Sequence, residues 1–307
     1  MNLEVGAVQL RFCLKMLSSI KNKKFVRVIL GGLIGLNILA WIVVYNLSQP
    51  RFLEVIFFDV GQGDAIFIET PQGHQILIDG GPDLTVLEKL AEEMPFYDRK
   101  IDLIILTHPE HDHLFGLLEV LKRYEIKYIL WTGVVRETAE WQEWKRLVEI
   151  ERAKVKIAKF SQKIILQEDP FVFIDVLYPF ENLEGQEFEN SNDTSIVARL
   201  VFSDDSFLFT GDIAKEVEGK LVNRNINLDT DVLKVAHHGS KTSSFLEFLE
   251  AVSPEIAVIQ VGKDNSYGHP HPEVLANLEQ FGIHILRTDI NGDIKIVSNG
   301  NNFKFIK

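Results

Sequence analysis

The chain has 307 residues, of which 46% are hydrophobic, and a formal net charge of −12. That length can form one large α/β domain with an appended segment, and the single cysteine, Cys13, excludes an intramolecular disulfide or a metal site built from cysteines. Six basic residues and one acidic residue precede Ser48, which leaves a net charge of −17 on the rest of the chain. This acidity argues against tight non-specific binding of nucleic acid, but it allows a local basic groove or a phosphate contact through a metal ion.

The first predicted element is a transmembrane helix at 25–47. Residues 28–47 carry no charge, and an α-helix needs about 20 residues to cross a bilayer. A buried core helix and a cleaved signal peptide are the alternatives. Because the basic residues of this region precede Val28, the positive-inside rule predicts a cytoplasmic segment at 1–24 and an extracytoplasmic domain at 52–307, attached to the cell membrane by a single span.

The extracytoplasmic domain begins with short strands that glycine turns separate. The pattern predicts three strands between residues 53 and 78 and a helix at 85–93. The turns carry Asp64 and Asp79, and two roles stay open for these aspartates, turn formation or the orientation of ligands at a site. A run of antiparallel strands followed by strand–helix alternation predicts a layered α+β fold with helices on the outer faces.

The strongest motif lies at residues 108–113. An apolar run at 103–106 predicts a buried strand before it, and apolar residues at helical spacing from 114 to 121 predict a helix after it. The six residues of the motif include three histidines and two acids. A loop held at both ends by the core is well suited to a metal ion, and imidazole with carboxylate suits Zn²⁺, Mn²⁺ or Fe²⁺.

Two later strands also end in side chains that bind metal ions. A strand at 206–209 is followed, after a glycine, by Asp212. A strand at 232–235 is followed by His237 and His238, and the sequence does not decide which of these two histidines is a ligand. These groups extend the donor set of the first motif.

Residues after the histidine pair predict contacts with a substrate. Ser240, Thr242 and the N–H groups at the start of the next helix could hold a phosphate. The proline-rich turn at 265–272 carries two more histidines, His269 and His271.

These motifs together resemble the metallo-β-lactamase fold. Residues 108–113 match its signature H-x-[H/E/D]-x-D-H, and the runs FDVGQGDA at 58–65 and NSYGHPHP at 265–272 resemble the extracellular domain of the ComEC family of competence proteins. The resemblance covers about residues 52–305. It implies an αββα sandwich, preceded in this chain by one transmembrane helix.

The resemblance also implies a centre with two divalent ions, Mn²⁺ or Zn²⁺. The implied ligands are His108, Glu110 and Asp212 for the first ion, and Asp112, His113, His238 and Asp212 for the second. Asp212 would bridge the two ions, and Asp112, Asp212 and His238 carry the catalytic role. His111 falls on a variable position of the signature, so we expect it not to be a ligand. Groups expected to support the ligands or contact the substrate are Asp64, Asp79, Asp193, His237, Ser240, Thr242, Tyr267, His269 and His271.

Two departures from the family pattern affect the expected metal. Glu110 stands where many members have histidine, and no histidine occurs at 191–197, where many members supply another ligand. Asn192 or Asp193 could take that place, or water could. An oxygen-rich first site favours Mn²⁺ over Zn²⁺.

The function implied is that of a metal-dependent phosphodiesterase or nuclease linked to DNA uptake, with single-stranded DNA as substrate. ComEC proteins carry a multi-helix channel that a single span does not provide, so we expect a channel or competence protein supplied by a separate chain. Two other functions stay open. One is an esterase for another surface phosphodiester, of the phosphorylcholine type, which the acidic surface favours. The other is a non-catalytic component of the uptake machinery.

Overall fold

The computed structural model describes residues 23–48 and 52–306, in two compact units divided after Pro50. The first unit contains helix α1 (Lys23–Ser48). Residues 24–44 of this helix are long and apolar enough to cross a membrane, and none of this stretch is buried by the described part of the chain.

The properties of α1 agree with the predicted span at 25–47. A signal sequence near the N-terminus can meet the same criteria of length and composition, so anchoring and orientation stay predictions. Apart from Lys23 and Lys24, the predicted cytoplasmic segment at 1–24 lies outside the described residues.

The second unit contains two β-sheets and the helices that cover them. Its strands are β1 Leu53–Phe57, β2 Ile66–Glu69, β3 Gln75–Ile78, β4 Lys100–Ile105, β5 Glu125–Trp131, β6 Lys154–Ile157, β7 Lys163–Glu168, β8 Phe171–Tyr178, β9 Val197–Phe202, β10 Asp205–Phe209, β11 Val232–Lys234, β12 Ile256–Ile259, β13 His284–Arg287, β14 Ile294–Ser298 and β15 Phe303–Ile306. Its helices are α2 Thr85–Glu93, α3 His111–Leu121, α4 Ala139–Glu151, α5 Lys215–Asn223, α6 Leu246–Val252, α7 Pro272–Gln280 and α8 Thr288–Asn291.

The two sheets pack face to face. The first has the strand order β15-β14-β1-β2-β3-β4-β5-β6, and the second has the order β13-β12-β11-β10-β9-β8-β7. Because side chains alternate along a strand, Val55 and Phe57 enter the core between the sheets while Ile56 joins the core beneath α2, α3 and α4. A third core lies between the second sheet and α5, α6 and α7. This is the αββα sandwich that the resemblance implies.

Strand direction brings the predicted site together. Strands β3, β4 and β5 are parallel in one sheet, and β10, β11 and β12 are parallel in the other. Asp79, His108, Asp212 and His238 follow β3, β4, β10 and β11 respectively. Contacts among these residues show that the carboxyl ends of the two parallel regions meet at one edge of the sandwich.

Candidate metal centre

Four side chains of ligand type converge at this edge. They are Asp112, His113, Asp212 and His238, and one donor atom from each lies within 4.8 Å of the other three. Asp112 and His113 belong to the first turn of α3, whereas Asp212 and His238 come from loops of the second sheet. His113, Asp212 and His238 are buried, and Asp112 is partly exposed, so the group has one open side.

The spacing of these donors fits one ion. Nε2 of His238 lies 3.3 Å from Asp112 Oδ2 and 3.3 Å from Asp212 Oδ2. His113 Nε2 lies 3.3 Å from Asp212 Oδ2 and 3.9 Å from Asp112 Oδ2. Ligands of a tetrahedral ion with bonds of about 2.1 Å are separated by about 3.4 Å. The four side chains therefore could hold a divalent ion with little movement.

Hydrogen bonds on the far side of each imidazole aim its Nε2 atom into the group. His113 Nδ1 donates to Asp79 Oδ2 over 2.8 Å, and His238 Nδ1 donates to the carbonyl of Gln260 over 2.9 Å. Such a partner fixes the ring orientation and leaves the other nitrogen for a metal ion. Nε2 of His113 is buried and makes no hydrogen bond, as a preformed ligand atom would.

Charge in this group favours a cation. Burial lowers the pKa values of His113 and His238, but the carboxylates around them, Asp212 foremost, outweigh burial and raise both pKa values well above the ordinary range. Both imidazoles are therefore more easily protonated than an ordinary histidine. The same negative potential attracts a divalent ion, which would take the place of the Nε2 protons.

His108 is prepared as a ligand next to this group. The Thr107 hydroxyl donates to Asp79 Oδ2 over 2.7 Å, so its oxygen accepts from His108 Nδ1, 3.0 Å away. His108 Nε2 is then an unprotonated, buried nitrogen with no partner. Burial, together with the charge of His113, lowers the His108 pKa to about 3.

Glu110 is engaged elsewhere. Its Oε1 atom pairs with Arg136 Nη2 over 2.7 Å and also accepts a short hydrogen bond from the Ser191 hydroxyl. Arg136 in turn donates to the carbonyl of Phe188 over 3.1 Å. The predicted first-ion set is therefore not assembled here, and the ligand role of Glu110 stays a prediction.

Lys234 is a member of the site that the sequence analysis missed. It is fully buried at the end of β11, where its Nζ atom pairs closely with Asp64, donates to the Gly211 carbonyl over 3.0 Å and lies 3.5 Å from Asp212 Oδ1. A buried ammonium needs such partners because desolvation of a charge is costly. Asp64 is thereby assigned to charge pairing. The available signal was a lone lysine in the apolar run 232–236.

A tight turn at Ala236–Gly239 gives His237 and His238 different positions. Both His237 and His238 have left-handed backbone angles, with φ of 51° and 53°. His238 enters the donor group, whereas His237 remains at its margin, with Nε2 4.0 Å from Asp212 Oδ2. Asn192 and Thr242 lie within hydrogen-bond distance of the two ring nitrogens of His237, at 3.2 and 3.4 Å.

Several predicted contact residues have structural partners. Asp193 accepts from the Ala214 N–H over 3.1 Å, and His271 accepts from the Glu273 N–H at the start of α7 over 3.3 Å. Ser240 and Thr242 hydroxyls lie 3.0 Å apart beside the margin that His237 forms.

The structure also locates His269, Tyr267 and His111. His269 packs beside the histidine pair, 5.7 Å from His237 and 6.5 Å from His238 between ring centroids, and Tyr267 stacks on it. His111 is largely exposed and pairs with Glu140 over 3.5 Å, outside the donor group.

Comparisons with known proteins support the same fold. A sequence model described as the metallo-beta-lactamase superfamily matches residues 58–263. ComE operon protein 3 of Bacillus subtilis is 32% identical over 91% of this chain and 37% of its own length. Competence protein ComA of Neisseria gonorrhoeae is 33% identical over 78% of this chain and 32% of its own length. The chain thus spans about a third of these curated relatives.

Solved structures show similarity at the level of the fold. Igni18, a metallo hydrolase from the archaeon Ignicoccus hospitalis, aligns with a TM-score of 0.50 and 16% identity, covering 80% of this chain and 98% of that protein. The β-hydroxylase CmlA aligns with a TM-score of 0.51 and 14% identity, covering 81% of this chain and 54% of that protein.

Proposed function

This chain belongs to the metallo-β-lactamase superfamily, and from that premise we propose that it is a metal-dependent phosphodiesterase that cleaves single-stranded DNA outside a cell membrane. The observation that carries the proposal is the donor group Asp112, His113, Asp212 and His238, whose donor atoms lie 3.3 to 3.9 Å apart in the pairs given above, which suits a single ion. Similarity to competence proteins supports DNA as the substrate.

Some residues of the centre would hold the ion, and others would contact the substrate. A bound divalent ion supplies Lewis acidity and lowers the pKa of water. Asp212 has the central position, since its Oδ2 atom lies 3.3 Å from Nε2 of both His113 and His238 while Lys234 lies beside its Oδ1 atom. Asp79 keeps His113 and His108 in the orientations that expose Nε2.

His237 and His269 border the donor group and are the candidates to contact the substrate. Burial, with the charge of His238, lowers the His269 pKa to about 4, so this imidazole is neutral at pH 7. A neutral imidazole donates one hydrogen bond, which fits contact with a phosphate oxygen better than protonation of a leaving group.

A groove beside His237 could receive the rest of the substrate. Lys215 and Lys241 line it, together with the acidic residues Asp193, Glu216 and Glu273. The groove is therefore not basic overall, and affinity for a phosphate chain must draw on the metal ion as well as on lysine.

This balance of charge also favours a second candidate, an esterase for a small surface phosphodiester. A net charge of −17 outside the N-terminal segment repels a long polyanion more than it repels a single diester. Membrane anchoring through α1 and cooperation with a channel or competence protein on a separate chain are further parts of the proposal.

The proposal is tested with the full chain purified in detergent, its metal content measured by mass spectrometry. We expect Mn²⁺ to support cleavage of bis(p-nitrophenyl) phosphate and of single-stranded DNA at least as well as Zn²⁺ does. Asp212→Asn should lower both rates at least 100-fold, and the exposed His111→Ala serves as the matched control with nearly parental rates.

Each other outcome has a defined meaning. Cleavage of the small diester alone would replace the DNA proposal by the esterase. A folded, metal-loaded parent that cleaves neither substrate would contradict the catalytic proposal and favour a non-catalytic component of the uptake machinery.

A further inference from the structure

A line of aromatic rings runs from the donor group to the protein surface. The His269 ring lies 6.5 Å from the His238 ring at an interplanar angle of 29°, and the Tyr267 ring lies 5.8 Å from His269 at 24°. Each ring is thus tilted by less than 30° from the next. Tyr267 is 71% exposed, so one face of the outermost ring is open to solvent.

The loop that carries Tyr267 is held by hydrogen bonds on both sides of it. Asn265 Nδ2 donates to the carbonyls of Gly262 and His269 over 2.8 and 2.7 Å, and the His269 N–H donates to Asn265 Oδ1 over 3.0 Å. The Gly262 N–H donates to Gln62 Oε1 over 3.2 Å, which ties the loop to the turn at 61–63. The open face of Tyr267 is therefore presented at a defined place and not on a free tether.

Tyr267 does little for the fold itself. Within residues 52–306 its ring packs on His269, and its hydroxyl makes no hydrogen bond that would explain its position. Single exposed apolar residues are common on protein surfaces, and what distinguishes Tyr267 is its position, stacked on His269 beside the donor group and on a loop that hydrogen bonds hold. The exposed face of the Tyr267 ring is available for stacking by a flat ligand from solvent.

We propose that Tyr267 is a stacking platform for a nucleobase of the single strand whose phosphodiester lies at the metal centre. This inference rests on the proposed function and names its substrate class as single-stranded nucleic acid with intact bases. Every base has a π face, so stacking on an aromatic side chain binds a single strand without sequence preference.

The charge of the protein limits its attraction for a phosphate chain. Single-strand binding proteins normally gain affinity from a basic groove that follows the phosphates. Here the groove beside His237 contains three acidic residues and two lysines, and the chain outside its N-terminal segment has a net charge of −17. A contact with the bases would add affinity where attraction to the phosphate backbone of the strand is weak. It would also distinguish nucleic acid from other phosphodiesters.

The experiment compares two 12-nucleotide substrates with the full chain in detergent and Mn²⁺. One is oligodeoxythymidylate, and the other is an abasic oligomer of equal length, which keeps the sugars and phosphates. For each variant we take the ratio of kcat/KM on the thymidylate to kcat/KM on the abasic oligomer. Tyr267→Ala is compared with Tyr267→Phe, which keeps the ring, and with Tyr97→Ala, an equally exposed tyrosine that precedes β4 at the opposite edge of the sheet.

The parent, Tyr267→Phe and Tyr97→Ala should prefer the thymidylate by about 10-fold, and Tyr267→Ala should lose that preference. An unchanged ratio in Tyr267→Ala would overturn the inference. Equal losses on both oligomers would also overturn it, since they would indicate packing on sugar or a general structural role.

Failure of the proposed function has a different signature. In that case the metal-loaded parent cleaves neither oligomer, and the same ratio is then measured from dissociation constants by fluorescence anisotropy. Loss of the preference in Tyr267→Ala would still support the platform, and an unchanged preference would still reject it.

Discussion

Asp79 shows how one carboxylate can set the orientation of two imidazoles. It accepts from His113 Nδ1, from the Thr107 N–H and from the Thr107 hydroxyl, which in turn accepts from His108. Its own backbone is left-handed, with φ of 58°, a conformation that asparagine also tolerates. Asp79→Asn therefore changes the charge and the hydrogen bonds at nearly constant shape.

We expect Asp79→Asn to fold and to weaken Mn²⁺ binding by about 10-fold to 100-fold, because one amide group cannot accept all three hydrogen bonds. A chelator competition assay measures the affinity, with the exposed Asp204→Asn as control. Parental affinity in Asp79→Asn would show that the tautomers do not depend on this carboxylate.

The second prediction concerns the buried ion pair of Lys234 with Asp64. Lys234→Met keeps most of the side-chain volume but leaves Asp64 as a buried carboxylate without its cation. We expect the free energy of unfolding of the metal-free protein to fall by about 3 kcal/mol, measured by urea denaturation. The double variant Asp64→Asn with Lys234→Met should regain part of that loss. If the double variant is no more stable than the single one, the pairing is not the reason for the buried lysine.

Glu218 joins helix α5 to the loop before α6. Its carboxylate accepts from the Ser244 N–H over 2.7 Å and from the Phe245 N–H over 3.3 Å. Burial outweighs these hydrogen bonds and raises the pKa of Glu218 to about 7. The native state therefore binds this proton more tightly than the unfolded state does, and the stabilisation is complete below pH 4.5 and lost as the pH rises through 7.

Glu218→Gln should remove that pH dependence while one amide oxygen still accepts from Ser244. We expect the parental free energy of unfolding to decline between pH 5 and 7.5 by up to about 1.4 kcal/mol per unit, and the variant to decline less. Urea denaturation across this range measures both slopes. Equal slopes would mean that Glu218 stays ionised in the fold.

Elements with a clear apolar period were predictable from the sequence. The last of the strands predicted between residues 53 and 78 ends at residue 78 and the helix at 85–93 has the predicted bounds, because each buries apolar residues. Helix α5 has no predicted counterpart, since its sequence KEVEGKLVN interrupts the apolar pattern with Gly219 and with a buried glutamate.

The residues of the site also include some that the sequence predicted and some that it did not. Motif spacing and family resemblance identified the histidines and aspartates that converge on the donor group, and the recognition of the family is confirmed. The pairing of Glu110 with Arg136 joins residues from different loops, and the role of Lys234 depends on burial between two sheets. Neither can be read from one segment, because both arise from tertiary contact.

At the scale of the whole molecule, the side of the membrane decides which substrates the enzyme could meet. The basic residues of the N-terminal region precede Val28, so we expect an alkaline phosphatase reporter fused after Lys307 to be active outside the membrane. A green fluorescent protein fused at the same place, which fluoresces in the cytoplasm, should remain dark. The opposite pattern would contradict both the topology and the surface substrate.

The central claim is that Asp112, His113, Asp212 and His238 hold a divalent ion. Anomalous diffraction from crystals soaked in Mn²⁺ tests it most directly. We predict a strong peak about 2.0 to 2.2 Å from one donor atom of each of these four residues, and a second peak beside His108 Nε2 if the centre takes two ions. A well-ordered crystal with no peak among these donors, or with its peak at Asp64 and Asp79 instead, would contradict the account.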